Sequence, residues 1–568
     1  MSTLAAIQRA SAILVVLAGV CSAAPDTAGA QGLQSGTITD QFEQKARERA
    51  RRKPAPSGLP DFAAGQPGAD RKPLFVMKAV SIVGATAVSH EDIARIYAPF
   101  LRRPVSQADL LKITEGITEI YRQKGYALSR ALIPPQDVKD GRVMVKVVEG
   151  YIGDILIEGD DRRRFGAQEM LQPITAERPL RLATFERTLL LLSDTPGVRI
   201  KDTILKEVGE ATGRFRLVVQ LETWSVSANV DLDNRGASDT GPLQSFITTA
   251  VNSAAVKGDI WALNVLTVPN SPEELVYVGG VVDFPLNTNG ARIGLKGSHS
   301  DIRPDGAKGL LGTRTKTDEL GVYAGTRVLR TREVSLGLGA SANVRHAEEN
   351  DTTGLIYDDH VRALGLTADL QIHDKYQGST YLVVGVRQGH GEPGSVGFAL
   401  SRADAEGSFL KAYWNATRLQ GLGGAWSALL STSGQLASSP LLLSEQFYIG
   451  GPLLGRAYAA GALSGDSGLT GLLEIRFDQK LEIGPLLGYQ LYAFIDAGIV
   501  WTRGSAEHES LSSVGAGVRF ALQDGYRMGF EVAVPVEQHS LTSVDEGTRF
   551  FFSLSKSFKG CAHRWCGW

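Results

Sequence analysis

Residues 224–558 alternate between apolar and polar positions over many short segments. In residues 469–478 the apolar positions face a set that contains Glu474 and Arg476, and residues 513–522 repeat the pattern. A period of two predicts β-strands, and one apolar face opposite one charged face suits strands with lipid outside and water inside. Strands in hydrocarbon must satisfy every backbone amide, so they would close into a β-barrel. A soluble β-sandwich gives the same alternation with the faces reversed.

The start of the chain has the pattern of an export signal. Arg9 supplies a positive charge, residues 11–20 form an apolar core, and Ala28-Gly29-Ala30 provides a small-residue cleavage site. The apolar core is too short to span a bilayer. Cys21 does not indicate a lipoprotein, because Val20 precedes it where a small residue is required. We expect residues 1–30 to be a signal peptide and the mature chain to reach the periplasm, the outer membrane or the medium.

Composition narrows the class of protein further. The chain has 568 residues, enough for several domains, and a net charge of −2, which points to no nucleic-acid partner. Its mean hydropathy of −0.05 suits an alternating barrel better than a helical membrane protein. We see no nucleotide-binding loop, no nucleophile elbow and no metal-ligand spacing among the nine histidines. We therefore expect no enzyme activity, no cofactor and no metal site.

Two segments of different composition follow the signal. Residues 31–52 contain a stretch that is polar nearly all round and could form a helix from Gln41 to Arg52, or remain a disordered arm. Residues 53–73 are rich in proline, glycine and alanine and read as a flexible linker.

Residues 74–150 predict a small α+β module of order βααββ. The first strand covers residues 74–83, Ser89 and Ser106 are positioned to cap two helices, and strands follow at 127–133 and 142–148. Residues 151–222 repeat this order, which indicates an internal duplication with a period of about 75 residues. Each module leaves a sheet edge unpaired, and such an edge can accept an extended peptide as an additional strand.

Several motifs in these segments resemble one family. Gly-Tyr-x-x-Ser-Arg at residues 125–130, Asp140-Gly141 and Val147-Val148-Glu149-Gly150 resemble polypeptide-transport-associated (POTRA) domains. Residues 231–236 and Phe284-Pro285-Leu286 are similar to early barrel segments of two-partner secretion transporters, the TpsB family of ShlB/FhaC/HecB type. From residue 31 to 558 the chain resembles these transporters. The resemblance implies a plug helix within residues 31–52, POTRA domains at 74–150 and 151–222, and an all-β transmembrane barrel of about 16 antiparallel strands at 223–558.

A second pair of motifs lies late in the chain. Residues 450–458, with Arg456 and Tyr458, resemble the inward-folded loop of this superfamily, whose tip reads Val-Arg-Gly-Tyr. Residues 494–498 resemble the Phe-x-Asp-x-Gly strand that receives the loop, which implies a contact of Arg456 with Asp496 beside Phe494. The sequence departs from the motif at Gly455 and Ala457, where valine and glycine are usual, so the conformation of the loop is in question. The alternative is that Arg456 is an external charge and Asp496 an ordinary lumen carboxylate.

The function that the resemblance implies is export of a partner protein. A large β-helical haemolysin, adhesin or toxin would cross the outer membrane unfolded, after its amino-terminal secretion domain binds a POTRA edge and the plug helix leaves. Folding outside could supply several kcal/mol, so no ATP is needed. The barrel would be a monomer in contact with outer-membrane lipid, with its POTRA domains in the periplasm. The alternatives are an outer-membrane insertase, against which two POTRA domains argue, and a passive porin, which has no use for them.

The carboxyl-terminal residues extend beyond the last predicted strand. Residues 549–558 resemble the strand that closes the barrel, and residues 559–568 form an extension that contains Cys561 and Cys566. A disulfide between these cysteines suits the oxidising periplasm, and a frayed tail is the alternative.

Overall fold

The computed structural model describes residues 70–160, 163–393, 400–405, 407–452, 454–505, 508–536 and 547–560. The predicted signal peptide, the predicted plug helix, most of the linker and both Cys561 and Cys566 lie outside the described residues. Within the described ranges, no helix is long and apolar enough to cross a membrane.

The first module places two helices against a three-stranded sheet. Its elements are β1 (Pro73–Met77), β2 (Ala79–Val83), α1 (His90–Tyr97), β3 (Arg103–Ser106), α2 (Gln107–Gln123), β4 (Arg130–Leu132) and β5 (Arg142–Val148). β5 is central, parallel to β2 and antiparallel to β4, and β1 pairs separately with β3. The single strand expected at 74–83 is therefore two strands. They separate at Lys78, whose backbone N–H donates to the Gly141 carbonyl across the module.

The helices of this module form where their capping residues and apolar stripes predict. Ser106 and Asp109 make a reciprocal capping box at the start of α2, each bonding the backbone N–H of the other. Ile113, Ile117 and Tyr121 of α2 are almost fully buried against α1 and β5. The 3.6-residue spacing of these side chains thus accounts for the core of the module.

Glu149 connects three parts of the first module. Its carboxylate accepts hydrogen bonds from the backbone N–H groups of Thr86 and Ala87, at 2.7 and 2.8 Å, and from the Tyr121 hydroxyl at 2.7 Å. Burial alone raises the pKa of this carboxyl. The hydrogen bonds outweigh burial and hold the pKa below its ordinary value of 4.5.

The second module repeats the topology of the first. It contains β6 (Tyr151–Glu158), α3 (Ala167–Met170), α4 (Gln172–Ala176), α5 (Leu182–Asp194), β7 (Val198–Glu207) and β8 (Arg214–Thr223). Its sheet order is β6-β8-β7, with β6 parallel to the central β8. Arg130 of the first module bonds Glu207 of the second at 2.8 Å, so the modules are in direct contact.

The rest of the described chain is a closed antiparallel barrel of 16 strands, which confirms the predicted fold class. The barrel strands are β9 (Val226–Asp233), β10 (Gln244–Asn252), β11 (Ile260–Thr267), β12 (Leu275–Pro285), β13 (Arg292–Ile302), β14 (Arg314–Arg330), β15 (Val334–Asp351), β16 (Gly354–His373), β17 (Gly378–Pro393), β18 (Ser408–Gly423), β19 (Trp426–Ala437), β22 (Ser467–Ile483), β23 (Leu486–Trp501), β24 (His508–Leu522), β25 (Tyr526–Pro535) and β26 (Arg549–Gly560). Pairing of β26 with β9 closes the cylinder.

The two faces of the barrel strands have the orientation that a membrane requires. On β22, Leu469 and Ile475 are 42% and 36% exposed on the outside, whereas Thr470 and Glu474 are almost completely buried inside. The same strand therefore directs its apolar set outward and its polar set into the lumen, as the alternation predicts.

The second module lies against one end of the barrel. Asp194 at the end of α5 bonds Arg330 at 2.7 Å, and Glu186 bonds Arg332 at 3.0 Å. Arg187 donates to the backbone carbonyl of Arg327 at 2.7 Å. These contacts hold α5 beneath the connection between β14 and β15, so odd-numbered strands from β9 to β19 run away from the modules.

We predict that Glu149→Gln loosens the segment around Thr86 in a pH-dependent way. The folded pKa of Glu149 is lowered, so its stabilising effect is present above the unfolded pKa and lost as the pH falls through the folded pKa. At neutral pH, hydrogen exchange should show a loss of about 1–3 kcal/mol of protection at the Thr86 and Ala87 amides. The difference from wild type should shrink as the pH falls below 4.5.

Glu115→Gln, an exposed substitution on α2, is the matched control and should leave these amides unchanged. An equal loss of protection at neutral and acidic pH would show that the charge of Glu149 is not what holds the segment.

Candidate functional site: a loop inside the barrel

The connection between β19 and β22, residues 438–466, folds into the barrel and is here called the lumen loop. It contains the short paired strands β20 (Phe447–Ile449) and β21 (Leu463–Gly465). Only three of its residues carry charge, namely Glu445, Arg456 and Asp466. Their exposed fractions are 2%, 6% and 0%. Buried charges need partners, so the partners of these three residues define how the loop is held.

Arg456 lies among three carboxylates on the inner wall formed by β22, β23 and β25. Its guanidinium is 3.2 Å from Glu474 and 3.0 Å from Glu531, both as hydrogen-bonded ion pairs. Its Nε is 3.8 Å from Oδ2 of Asp496. Neither of those two atoms has a hydrogen-bond partner among the described residues. The attraction between Arg456 and Asp496 is therefore mainly Coulombic, and the directional contacts go to the two glutamates.

Asp496 holds the loop through its backbone as well. Its Oδ1 accepts the Gly455 N–H at 2.8 Å and the Ser513 hydroxyl at 2.5 Å. The Arg456 guanidinium also lies 4.1 Å from the centre of the Phe494 ring, within cation–π range. The Tyr458 hydroxyl donates to the Ser512 carbonyl at 3.1 Å. The structure thus gathers Arg456, Asp496, Tyr458 and Phe494 at one place on the wall.

Sequence reasoning missed the residues that complete this cluster. Glu531 accepts hydrogen bonds from Tyr492 at 2.7 Å and from Arg235 at 2.9 Å, and Glu474 accepts from Arg519 at 2.8 Å. The alternation in β22 did place Glu474 in the lumen. Which inward side chains become neighbours depends on the register between strands, and no local motif reports that register.

The loop tip departs from the family motif at Ala457, but the backbone there is not strained. Gly455 has φ of +73°, whereas Ala457 is not among the residues with positive φ. A Cβ at position 455 would come within 2.4 Å of Leu511, so glycine is required there for space as well as conformation. Ala457 is fully buried, in the same apolar cluster as Tyr458 and Phe494. The departure from the family motif at Ala457 is therefore compatible with the loop inside the barrel.

Glu445 is an anion that contacts cations on another part of the wall. Its carboxylate is 3.1 Å from Arg345 on β15, 3.0 Å from Arg387 on β17 and 2.9 Å from Lys411 on β18. Lys411 and Gln435 also donate to the Glu445 backbone carbonyl, at 2.7 and 3.0 Å. One anionic loop residue is thus surrounded by three wall cations, the reverse of the arrangement at Arg456. The sequence carries no motif that marks Glu445.

Asp466 fixes the end of the loop. Its Oδ1 accepts from Arg402 at 2.6 Å and from the Leu441 N–H at 2.7 Å, and its Oδ2 accepts the Arg503 N–H at 2.7 Å. Arg402 belongs to the connection between β17 and β18, on the side of the barrel away from the modules. Asp466 therefore joins both ends of the lumen loop to a neighbouring connection.

Apolar contacts extend the loop to a third sector of the wall. Ala460 belongs to one buried apolar cluster with Phe246, Leu266 and Tyr277, which face inward from β10, β11 and β12. Together with the Glu445 and Arg456 contacts, this places the loop against three separate groups of strands. The lumen loop therefore crosses the interior of the barrel and obstructs it.

Comparisons with known proteins agree with this architecture. The family model for haemolysin secretion/activation protein ShlB/FhaC/HecB matches residues 215–520, more than half of the chain, and the ShlB-type POTRA domain matches residues 75–150. The heme/hemopexin transporter protein HuxB of Haemophilus influenzae is 24% identical over 506 residues, covering 85% of this chain and 87% of the relative.

Solved structures show the same fold. CdiB from Escherichia coli superposes with a TM-score of 0.73 at 19% identity, covering 94% of this chain and all of that one. CdiB from Acinetobacter baumannii gives a TM-score of 0.63 at 17% identity, covering 93% of this chain and all of that one. The chain belongs to the ShlB/FhaC/HecB family of outer-membrane transporters, which export partner proteins through a β-barrel that carries periplasmic POTRA domains.

Proposed function

We propose that this transporter exports an unfolded, secreted partner and that the lumen loop holds the resting pore closed by charge contacts to its walls. The observation that carries the proposal is that all three charged residues of the loop are buried and matched by charges of opposite sign. Losing one partner of a buried ion pair costs about 3–5 kcal/mol, because the other charge is left unpaired. An incoming chain must therefore replace these contacts or displace the loop as a unit.

The partner binds first at an open sheet edge of a POTRA module. Among the described strands, β2 and β4 are the edges of the first module's three-stranded sheet, and β6 and β7 are the edges of the second module's sheet. Of these, β2 and β6 present exposed apolar side chains, with Val83 47% and Leu156 50% exposed. An extended peptide satisfies the free backbone groups of such an edge and covers these side chains. The POTRA edge would therefore recognise an unfolded, β-forming segment at the amino terminus of the partner.

Translocation needs no nucleotide in this scheme. Folding of a large β-helical haemolysin, adhesin or toxin outside the cell removes it from exchange across the pore and can supply several kcal/mol. The closed barrel satisfies its own strand edges, which supports a monomeric transporter. The predicted plug helix, residues 31–52, would occupy the lumen with the loop and leave it during transport.

Deletion of the gene for this transporter tests the export function. The culture medium of the deletion strain should lose one large secreted protein, which returns when the gene is restored, while the abundance of other outer-membrane proteins stays the same. Unchanged secretion together with depletion of other outer-membrane proteins would instead identify an insertase.

We predict that Arg456→Ala frees the tip of the lumen loop. Removal of the guanidinium leaves Asp496 without its cation, while Glu474 keeps Arg519 and Glu531 keeps Arg235. Loss of one partner from such a buried cluster costs about 3–5 kcal/mol. Hydrogen exchange of the amides around Gly455 should accelerate by more than about a hundredfold, and Arg456→Lys should lie between the two.

Arg527→Ala, an exposed arginine on β25, is the matched control and should leave the loop protected. If the loop amides of the Arg456→Ala protein exchange as slowly as those of the wild type, the charge contact does not hold the loop.

We predict that Glu445→Gln releases the other side of the loop. The amide keeps the shape of the side chain but removes the anion that Arg387 and Lys411 share, while Arg345 keeps its ion pair with Glu319 at 2.6 Å. Exchange of the amides in residues 443–449 should accelerate, and Arg387→Met in the same chain should restore part of the protection by removing one of the repelling cations.

Glu273→Gln, on an exposed barrel connection, controls for a general effect of removing a carboxylate. Equal exchange in Glu445→Gln and Glu273→Gln would contradict the assignment of Glu445 as an anchor.

A further inference from the structure

Three metal-ligating side chains meet at the outer surface of β15 and β16. The Nε2 atom of His346 is 2.7 Å from Oδ1 of Asp358, and Nε2 of His360 is 3.7 Å from the same oxygen. The two imidazole rings lie 4.4 Å apart between their centres, nearly perpendicular to each other. One ligand atom from each residue lies within 4.8 Å of the other two. The lumen loop and the modules do not contribute to this cluster.

Strand register, not sequence spacing, brings these residues together. His346 and His360 are direct partners across the β15–β16 hairpin, and Asp358 precedes His360 by two residues on the same face. Linear spacing led to the expectation of no metal site, and strand pairing brings together residues that lie apart in the sequence. An Asp-x-His segment facing a histidine across a short hairpin is the signal that the sequence contained.

The cluster faces outward at the end of the barrel away from the modules. Val344 and Leu364 share the faces of His346 and His360 on their strands, and they are 49% and 67% exposed. β15 runs away from the second module, and His346 lies near its far end, close to the turn at residues 352–353. Since the POTRA modules are periplasmic, the cluster lies on the extracellular rim above the apolar belt.

The chemistry of the cluster fits a divalent transition metal. Zinc binds imidazole nitrogen and carboxylate oxygen at about 2.0–2.2 Å, so ligand atoms around it lie roughly 3.3 Å apart. The two separations from Oδ1 of Asp358, 2.7 and 3.7 Å, bracket that value, so small side-chain rotations would bring both to it. The histidine side chains are 40% and 42% exposed, while that of Asp358 is 9% exposed, so the carboxylate is held in place and the imidazoles can adjust.

One side of the cluster remains open. His346 and His360 line a surface cavity of about 420 Å³ together with Asp318, Arg362, Leu320 and Val344. The cavity leaves room for water to complete a four-coordinate site. A site with three protein ligands and an open position is the arrangement expected of zinc when the metal remains accessible.

A neighbouring pair shows what an ordinary histidine–aspartate contact looks like on this surface. His299 on β13 bonds Asp318 on β14 at 2.8 Å, and both side chains are about half exposed. That pair satisfies one histidine with one carboxylate. At His346 and His360, two imidazoles lie beside one buried carboxylate. A hydrogen bond to the carboxylate would require only one histidine.

We propose that His346, Asp358 and His360 bind one divalent transition-metal ion, with zinc as the favoured metal, on the extracellular rim of the barrel. The ion would join β15 to β16 beside their connecting turn. This site does not involve the lumen loop, so the metal-site proposal and the proposed gating are tested separately.

Zinc titration of the purified full-length protein tests the site. The protein is prepared in detergent with a cleavable tag that contains no histidine. Cys561→Ser and Cys566→Ser are present in every variant to remove the thiols near the carboxyl terminus. Isothermal titration should give one equivalent of zinc for this background, and His360→Ala or Asp358→Asn should weaken binding by more than about tenfold. Cobalt should give a visible absorption spectrum that these variants lose.

His508→Ala is the matched control, because it removes an exposed histidine at the start of β24, outside the cavity beside the cluster, and should leave zinc binding unchanged. Heat-modifiable mobility on a gel reports whether each barrel is folded. If the His360→Ala barrel is not folded, His346→Gln provides the same comparison. Absence of zinc binding, or equal binding in the His360→Ala and His508→Ala proteins, would overturn the proposal.

Discussion

Closure of the hydrogen-bonded cylinder is the constraint on which the rest of this structure depends. A backbone group left unpaired in hydrocarbon costs several kcal/mol, so a single open edge would make the membrane-embedded sheet unfavourable. Pairing of β26 with β9 removes that edge. Once the cylinder is closed, each strand has a lipid face and a lumen face. The outward apolar set and the inward set of Arg, Glu and Asp side chains are consequences of this division.

A closed lumen also raises the energetic cost of each unpaired charge inside it. Confined water and surrounding protein screen charges less than bulk water does, so an unpaired charge on a loop inside the barrel is costly. The lumen loop carries three charges, and each is matched. Glu445 meets three cations of the wall and Arg456 three carboxylates, so a rotated or shifted loop would lose both sets of contacts. Opposite anchors therefore specify one position of the loop as well as stabilising it.

The sequence predicted much of the fold and part of the site. Alternation placed Glu474 on the charged face of its strand, which the barrel interpretation turns toward the lumen, and the capping pair Ser106 and Asp109 marked the start of α2. The division between β1 and β2 was not predictable, because it depends on a hydrogen bond from Lys78 to the distant Gly141. The partners of Arg456 were only partly predictable for the same kind of reason. Asp496 belongs to a recognisable motif, whereas Glu531 joins the cluster through strand register and leaves no local signal.

The opposite signs of Glu445 and Arg456 have a consequence for electrical gating. A potential difference across a membrane acts on an elementary charge with about 2.3 kcal/mol per 100 mV. Acting on these two side chains, the same field pulls in opposite directions, and Asp466 leaves the loop with a net charge of −1. Voltage therefore acts on only one uncompensated charge of a loop that is anchored on two walls. A polypeptide that presents both acidic and basic groups can instead compete for both walls at once.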